Sequence, residues 1–430
     1  MTNERLRHLI ARIRERLWVR PLAMALLSLL IVWAAVAADG TGLRDLVPDF
    51  DAATVRSVLS VLSASMLVVA TFTVGSMVAA YASASSTATP RAFLLILADD
   101  TSQNALSTFI GAFIFSVVAI IALEQEAFQV AGRFTIFSFA LVVFGLVVLT
   151  FIRWVDRIAR LGRIGSTIES VERAAAGALG RRREAPTMGA CPAAPGEGRD
   201  GAPVHAPEPG YVRHLDLRAL QACAEDAGAR IVVEALPGTF VGPGRPLARI
   251  VPAAAALEPA AVARAFDVGR DRAFDDDPRF GLVVLSEIAA RALSPGVNDP
   301  GTAIQVLGAH VRLLTAWSDA GDRAGDVSRQ EVAFDRVHVP TLSVDDMLDD
   351  AFTPIARDGA GTVAVAVRLQ KALGILAATG HAALRSAALR HQRIALARAA
   401  RAMRVPEDLE AVRRVASLAD GRADQSMAKS

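Results

Sequence analysis

The chain has 430 residues, of which 53% are apolar and 21% charged, and its mean hydropathy is +0.37. This average is too apolar for most soluble proteins and too charged for a wholly embedded one, so it predicts a membrane part joined to a soluble part. The 46 basic and 44 acidic residues nearly balance, so no nucleic-acid partner is expected. Two cysteines, Cys191 and Cys223, exclude a disulfide framework. Only two lysines, Lys371 and Lys429, are available to anchor a prosthetic group, and no cofactor is expected.

Four long apolar segments without interior charges follow a basic N-terminus at 1–20. Each comes close to, or exceeds, the about 20 helical residues that cross a bilayer core. Together they predict a four-helix transmembrane domain over 21–152, with spans at 21–38, 57–82, 105–123 and 134–152.

Charge at the ends of these segments predicts their orientation. Arginines flank the first and last spans, whereas the loop after the first span is mainly acidic and the loop after the third has two glutamates against one arginine. The positive-inside rule then places both termini in the cytoplasm, with the lipid bilayer as the partner. The arginines concerned are Arg5, Arg7, Arg12, Arg14, Arg16, Arg20, Arg153, Arg157, Arg160 and Arg163.

The second span is rich in hydroxyl side chains. One interpretation is close helix packing, which small and hydroxyl residues permit. The other is a hydrated pathway, which a homo-oligomer would surround. The candidate pathway-lining residues are Ser60, Ser63, Thr71, Thr73 and Ser76.

Apolar residues continue at helical spacing after the fourth span and predict an amphipathic connecting helix over 153–180. It could lie on lipid headgroups or form a stalk against the same helix in other subunits. Residues 181–209 are rich in proline, glycine and alanine and predict a flexible linker. The arginines at 181–183 could touch anionic lipid or form a solvated charge run.

The remainder predicts a mainly helical α+β cytoplasmic domain. Residues 210–252 alternate strands with Pro-Gly turns, and the run 236–250 (LPGTFVGPGRPLARI) resembles the turns of lipoyl and biotinyl-type sandwich domains. The acceptor lysine is absent, so the resemblance implies a small β-sandwich-like subdomain without a swinging arm. Residues 253–420 predict a helical domain, and 421–430 a disordered tail. Within 253–420, helices are expected near 258–266, 278–293, 300–317, 343–357, 362–379, 381–403 and 406–418, with a strand at 331–339.

Charged residues concentrate in the segment 270–299, which is the best candidate for a ligand or interface site. The acids at 275–277 could bind a hard cation or cap the helix that follows. The loop at 294–300 could face a ligand or join two helices, with Asp299 as an N-cap. The candidate site residues are Arg270, Arg272, Asp277, Arg291, Ser294, Asn298 and Asp299. A second acidic cluster, at 345–350, is expected to cap a helix and face solvent.

Residues 269–281 (GRDRAFDDDPRFG) and 289–303 (AARALSPGVNDPGTA) resemble the bacterial membrane family known as domain of unknown function 2254. Residues 83–91, Asp99, Gln103 and Gly111 fall where that family has its inner loop and third span. The resemblance covers about 10–410 and implies a multispan inner-membrane protein with a cytoplasmic domain. It implies no activity, and this chain departs from the family in its longer linker.

Three functions remain open from the sequence. The first is an oligomeric solute-conducting protein gated by its cytoplasmic domain. The second is a non-conducting sensor or scaffold whose cytoplasmic domain binds a ligand or partner. The third is a membrane-tethered enzyme, which is not expected because the sequence has no zinc spacing, phosphate loop or nucleophile motif.

Overall fold

The computed structural model describes residues 19–40, 47–87, 89–97, 100–160, 163–318 and 332–427. The chain divides into two compact units, Met1–Thr167 and Ile168–Ser430. The described part of the first is helical, and that of the second combines helices with two small sheets. Most of the predicted basic N-terminus lies outside the described residues.

Five helices are described in the first unit, and three of them are long and apolar enough to cross a membrane: Ala52–Ala82, Ser102–Glu124 and Val130–Ala159. The apolar part of the first helix, Leu22–Ala38, is shorter. Its 17 residues rise about 26 Å, which is less than the usual hydrocarbon thickness. The spans predicted at 57–82, 105–123 and 134–152 thus correspond to membrane-capable helices, whereas the first predicted span, at 21–38, is not confirmed within the described chain. The helices are α1 (Val19–Ala38), α2 (Ala52–Thr87), α3 (Pro90–Leu97), α4 (Asp100–Glu124) and α5 (Val130–Arg160).

The surface of this unit is apolar. Trp33 is 73% exposed and Val68 is 68% exposed, whereas Leu59 and Phe109 are fully buried between helices. Large apolar side chains on the outside suit a helix bundle that lipid surrounds, because hydrocarbon imposes no penalty on them. The arrangement agrees with the predicted membrane part.

Charges of the first unit pair with one another at the ends of helices. Arg133 Nη2 lies 2.8 Å from Asp49 Oδ1, and Arg56 Nη2 lies 2.5 Å from Glu124 Oε1. Asp39, just after α1, accepts hydrogen bonds from the backbone N–H groups of Gln129 and Gly132, each at 2.7 Å. The acids of the predicted external loops thus tie helix ends together.

The second unit contains a five-stranded mixed sheet of order β1-β8-β4-β6-β2 and a three-stranded antiparallel sheet of order β5-β3-β7. In the larger sheet, β8 pairs in parallel with β1 and β4, while β6 is antiparallel to β4 and β2. The strands are β1 (Ala190–Pro192), β2 (Ala202–Val204), β3 (Gly210–Leu215), β4 (Arg230–Val233), β5 (Phe240–Val241), β6 (Ala248–Val251), β7 (Phe266–Gly269) and β8 (Phe334–Val339).

Helices make up the rest of this unit, and several begin at caps that the sequence predicts. Ser343 accepts from the N–H of Asp346 and Asp299 from that of Thr302, both at 3.1 Å. The helices are α6 (Ile164–Glu184), α7 (Leu217–Asp226), α8 (Pro259–Ala263), α9 (Phe280–Ala292), α10 (Pro300–Ser318), α11 (Val344–Asp358), α12 (Val363–Ala377), α13 (Ala382–Ala402) and α14 (Pro406–Met427).

The predicted flexible linker over 181–209 is wrong. This segment contains the last turn of α6 and the strands β1 and β2, which pair with β8 and β6. Its glycines serve tight turns, since Gly196 and Gly198 have φ of +81° and +75°. Gly201 lies so close to strand β6 that an added Cβ would stand 2.7 Å from the backbone oxygen of Ile250. Composition predicted disorder here because glycine is equally suited to turns and to close backbone approach.

Three further predictions differ from the structure. The strands within 210–252 belong to two different sheets, so a self-contained β-sandwich is not confirmed. The helix expected at 258–266 is the short α8, and the chain then enters β7. The tail expected to be disordered from 421 is helical to Met427. The first two depend on pairings between residues far apart in sequence, which local patterns do not contain.

Candidate functional site

The charged segment before α9 forms a buried cluster. Asp277 is only 2% exposed and accepts a 2.6 Å hydrogen bond from Arg272 Nε. Its other oxygen accepts from the backbone N–H groups of Arg279 and Phe280, at 3.1 and 3.2 Å, which caps α9. The guanidinium of Arg272 also stacks 5.0 Å from the centre of the Phe280 ring. The capping interpretation is therefore confirmed for Asp277.

The Pro-Gly turn after β4 packs directly on this cluster. Gly238 has φ of +93°, and an added Cβ would overlap the carboxylate of Asp277. Only glycine combines that backbone conformation with such close approach. The turn that resembles a lipoyl-type motif therefore packs against the charged segment and holds it in place.

Of the arginines at 181–183, near the end of α6, Arg182 lies in the interior of this unit. Arg182 is 5% exposed, and burial lowers its pKa to about 10, while Asp276 and Asp277 favour its charged form. Arg181 donates to the backbone oxygen of Asp275. The expectation that these arginines touch lipid or face solvent is thus wrong for Arg182, which lies beneath the acidic run.

The three consecutive acids have different partners. Asp276 Oδ2 lies 2.6 Å from His214 Nδ1 on β3, and this hydrogen bond raises the pKa of His214 and lowers that of Asp276. Asp277 pairs with Arg272, and Asp275 contributes its backbone oxygen to Arg181. The run binds protein cations rather than gathering its carboxylates around one point. Among the described residues, no group of three or more His, Cys, Asp or Glu could hold a metal.

The predicted site residues do not form one site, because α9 separates them into two groups. Its 13 residues span about 20 Å. Arg270, which is exposed, lies with Arg272 and Asp277 before the helix. The remaining four follow its last turns: Arg291, Ser294, Asn298 and Asp299.

The second group is a helix–turn–helix joint. Ser294 Oγ donates to the backbone oxygen of Arg291 at 2.7 Å, and Asn298 has φ of +49°. Asp299 accepts from the backbone N–H and the hydroxyl of Thr302, and these bonds lower its pKa. Each residue thus has a role in turning the chain from α9 to α10.

Two arginines clamp the acidic cluster of α11, whose members are Asp345, Asp346, Asp349 and Asp350. Arg279, the N-cap residue of α9, reaches Asp346 and Asp350, each at 2.6 Å. Arg390 of α13 reaches Asp345 and Asp349, each at 3.1 Å. Because acids four residues apart share a face of α11, each pair receives one guanidinium. The cluster therefore links three helices. The sequence predicted only that it caps a helix and faces solvent, and this linking role was not included.

A buried histidine lies nearby in the helical core. Ser286 Oγ is 2.7 and 2.8 Å from the backbone oxygens of Asp350 and Ala351, so its single hydrogen is committed to them. His310 Nε2, 3.3 Å from that Oγ, must then be the donor, which assigns the neutral tautomer. His310 is fully buried, and burial lowers its pKa to about 3.

An open groove of about 220 Å³ lies between α6 and α10. On α6 it is lined by Ala176, Leu179, Gly180 and Arg183, whose spacing of three and four residues places them on one helix face. Sequence reasoning missed it, since it ended the connecting helix at residue 180 and began a linker at Arg181. Extending the predicted helix to Arg183 would have placed small and apolar residues on one helix face, with the cationic side chain of Arg183 at its end.

The other wall consists of α10 residues Leu313, Ala316 and Trp317, and an ion pair lies at one end. Leu179, Leu313 and Trp317 are at most 8% exposed and make an apolar floor. Arg312 forms two hydrogen bonds with Glu172, at 2.6 and 2.7 Å. Arg183 donates to the backbone oxygen of Ala316. Unlike the buried clusters, the groove is open to a ligand.

The hydroxyl residues of α2 do not share a face. Ser60 and Thr71 are exposed, Ser63 and Ser76 are half-buried, and Thr73 is buried. Thr71 and Thr73 donate to the backbone oxygens four residues earlier, at 2.9 and 2.8 Å. Within a single chain, Thr71 and Thr73 thus donate to their own helix, and the five hydroxyl residues differ in exposure.

Fold and site together define a membrane protein with a separate α+β unit, which buries charged side chains and carries a groove between α6 and α10. The chain matches the family described as predicted membrane protein (DUF2254) over residues 14–374, and it belongs to that family. The resemblance carried by 269–281 and 289–303 is confirmed.

Two curated relatives are uncharacterized proteins of Mycobacterium bovis and Mycobacterium tuberculosis. Each is 33% identical to this chain over 114 residues. The match covers 25% of this chain and 22% of each relative, so it spans about a quarter of this chain and less than a quarter of each relative. No solved structure gives a significant match.

Proposed function

We propose that this protein is a membrane-anchored sensor whose α+β unit binds a small ligand in the groove between α6 and α10. The groove carries the proposal, because it combines an apolar floor with charged groups at its rim. Small-molecule sites typically have this composition. In contrast, the charged groups of the segment before α9 are largely occupied by one another.

The position of α6 in the chain supports a sensing role. It begins at Ile164, four residues after the last residue of α5, a membrane-capable helix. Ligand wedged between α6 and α10 would therefore act on the helix that follows the membrane unit in sequence. A ligand that binds one arrangement of α6 better would shift its population.

The proposed location is a bacterial inner membrane, with α1 as a fourth span and both termini cytoplasmic. The arginine-rich flanks before α1 and after α5 support this orientation, as do the acids Asp39, Asp49 and Asp51 beyond α1. Protease protection in sealed inverted vesicles tests it. The α+β unit should be digested from outside, and its protection would contradict the orientation.

Thermal unfolding of the full chain in lipid nanodiscs tests ligand binding. The probes are benzoate, benzamide and benzamidinium, which share a ring that fits the apolar floor and differ in head-group charge. At least one should raise the unfolding temperature, because a ligand that binds only the folded state stabilises it.

A blocked groove is the control for specificity. Gly180 has open space where a Cβ would project, so Gly180→Leu should fill the groove without a clash and remove the shift. Gly177→Leu, at an exposed position of α6 that does not line the groove, should leave the shift unchanged. Equal shifts in both variants would contradict binding in the groove.

A second candidate is an oligomeric conduit, and the exposed face of α2 favours it. Ser60 and Thr71 are both exposed and stand eleven residues apart, which is almost a whole number of turns. Copies of α2 facing one another in a homo-oligomer would bring these hydroxyls together.

Solute flux in liposomes tests this alternative. Ser60→Leu with Thr71→Leu should abolish flux, whereas Val61→Leu on the same exposed surface should not. Absence of flux from correctly inserted wild-type protein would reject the conduit.

A further inference from the structure

We propose that the groove between α6 and α10 selects a small amphiphilic anion, with an apolar body on its floor and a carboxylate or other oxyanion at Arg183. This inference rests on the proposed function and names its ligand class.

The floor suits an apolar body. Leu179, Leu313 and Trp317 are nearly buried, yet they border open space. The rim residues Ala176 and Ala316 are small, so a flat or narrow group can approach the floor closely. Covering this floor removes apolar surface from water, and this favours binding roughly in proportion to the area covered.

Charge at one end of the groove is unbalanced. Arg183 donates to the backbone oxygen of Ala316, which is a neutral acceptor. Among residues in the described ranges, no carboxylate lies within ion-pair distance of Arg183. A guanidinium has five N–H donors and no acceptor, so its remaining hydrogen bonds call for ligand oxygens.

Charge at the other end is balanced, which gives the groove its polarity. Glu172 holds Arg312 through two parallel hydrogen bonds. This pair adds no net charge, and the carboxylate of Glu172 disfavours a second anion there. The anionic head of a ligand is thus directed to Arg183 and its body lies toward Arg312.

The size of the space limits the ligand. About 220 Å³ is below the 300–1,000 Å³ usual for drug-sized ligands, so the groove fits one ring or a short chain. The proposed class is therefore a small aromatic or short-chain carboxylate or an equivalent oxyanion, not an extended lipid or a nucleotide.

Calorimetric titration of the full chain in nanodiscs, with empty nanodiscs subtracted, tests the charge selection. Benzoate should bind at least about tenfold more tightly than benzamide, as expected from one charge-assisted hydrogen bond. Benzamidinium, the cation of the same shape, should bind most weakly. Three variants at the ends of the groove then locate the effect.

Arg183→Met keeps an apolar stem but removes the cation, so benzoate affinity should fall about tenfold while benzamide affinity stays the same. Arg183→Lys should retain most of the preference for the anion, which separates lost charge from lost folding. Glu172→Gln releases Arg312 and should tighten benzoate binding. Arg173→Gln, exposed on α6 outside the groove, is the matched control.

The outcomes separate the inference from the proposed function. Equal affinity for benzoate and benzamide, with both lost in Gly180→Leu, would overturn anion selection and leave ligand binding intact. Unchanged benzoate binding in a folded Arg183→Met variant would also overturn it. If none of the three probes binds wild type, the proposed function fails together with this inference.

Discussion

Each unit of this protein holds a helix N-terminus with an aspartate, which comes from a distant part of the chain in the first unit and from the adjoining turn in the second. In the membrane unit, Asp39 accepts from the N–H groups of Gln129 and Gly132 at the start of α5. In the α+β unit, Asp277 accepts from those of Arg279 and Phe280 at the start of α9. Each carboxylate lies against a glycine, Gly132 for Asp39 and Gly238 for Asp277. A Cβ added at either glycine would overlap the carboxylate.

The difference between the two caps lies in burial and charge. Asp39 is half-exposed and accepts from backbone donors, whereas Asp277 is buried and pairs with Arg272. The first unit keeps charge at the ends of its helices and apolar side chains outside. The second unit buries Asp277, which is paired with Arg272, and also the guanidinium of Arg182. Equivalent substitutions should therefore cost much more in the second unit.

Asp277→Ala should have the largest effect. It removes the cap of α9 and leaves Arg272 without its carboxylate while Arg182 remains buried, so we expect a loss of about 3–5 kcal/mol in unfolding free energy. Thermal and denaturant unfolding of the full chain measures it. Asp271→Ala, an exposed acid in the same segment, should cost under about 0.5 kcal/mol. Similar losses in the two variants would contradict a buried pair.

Gly238→Ala should come next, at about 2–3 kcal/mol. The methyl group combines an unfavourable positive φ with overlap at the Asp277 carboxylate. Gly228→Ala is the matched control, because Gly228 has φ of +58° and open space at its Cβ position. The Gly228→Ala substitution introduces only the strain of a positive φ, without overlap, and should cost about 1 kcal/mol. A smaller loss for Gly238→Ala than for Gly228→Ala would place the turn away from Asp277.

The buried, neutral side chain of His310 makes the stability of the fold depend on pH. His310 has a folded pKa of about 3 against 6.5 when unfolded, so the folded state favours the neutral form. Its contribution is complete above pH 6.5, and stability should fall by up to about 1.4 kcal/mol per pH unit below that value. Unfolding of His310→Gln between pH 4 and 7 should show a flatter profile. His205→Gln, at an exposed site, should match wild type.

The sequence predicted the membrane unit from local patterns, since hydropathy and length are properties of single segments. It also predicted the caps at Ser343 and Asp299, which depend on residues three positions apart. It did not predict that Arg182 is buried or that Asp276 meets His214 across 62 residues. The groove was missed for the same reason, because α6 and α10 lie more than a hundred residues apart in the chain.

Asp39→Ala should have the smallest effect of these substitutions and completes the comparison with Asp277→Ala. The N–H groups of Gln129 and Gly132 lose their acceptor, but the half-exposed site lets water replace it, so we expect about 1 kcal/mol. Asp51→Ala, an exposed acid before α2, is the control and should cost less. The measurement is thermal unfolding of the full chain in nanodiscs. A loss for Asp39→Ala equal to that for Asp277→Ala would show that the cap itself, and not the buried pair with Arg272, determines the cost in both units.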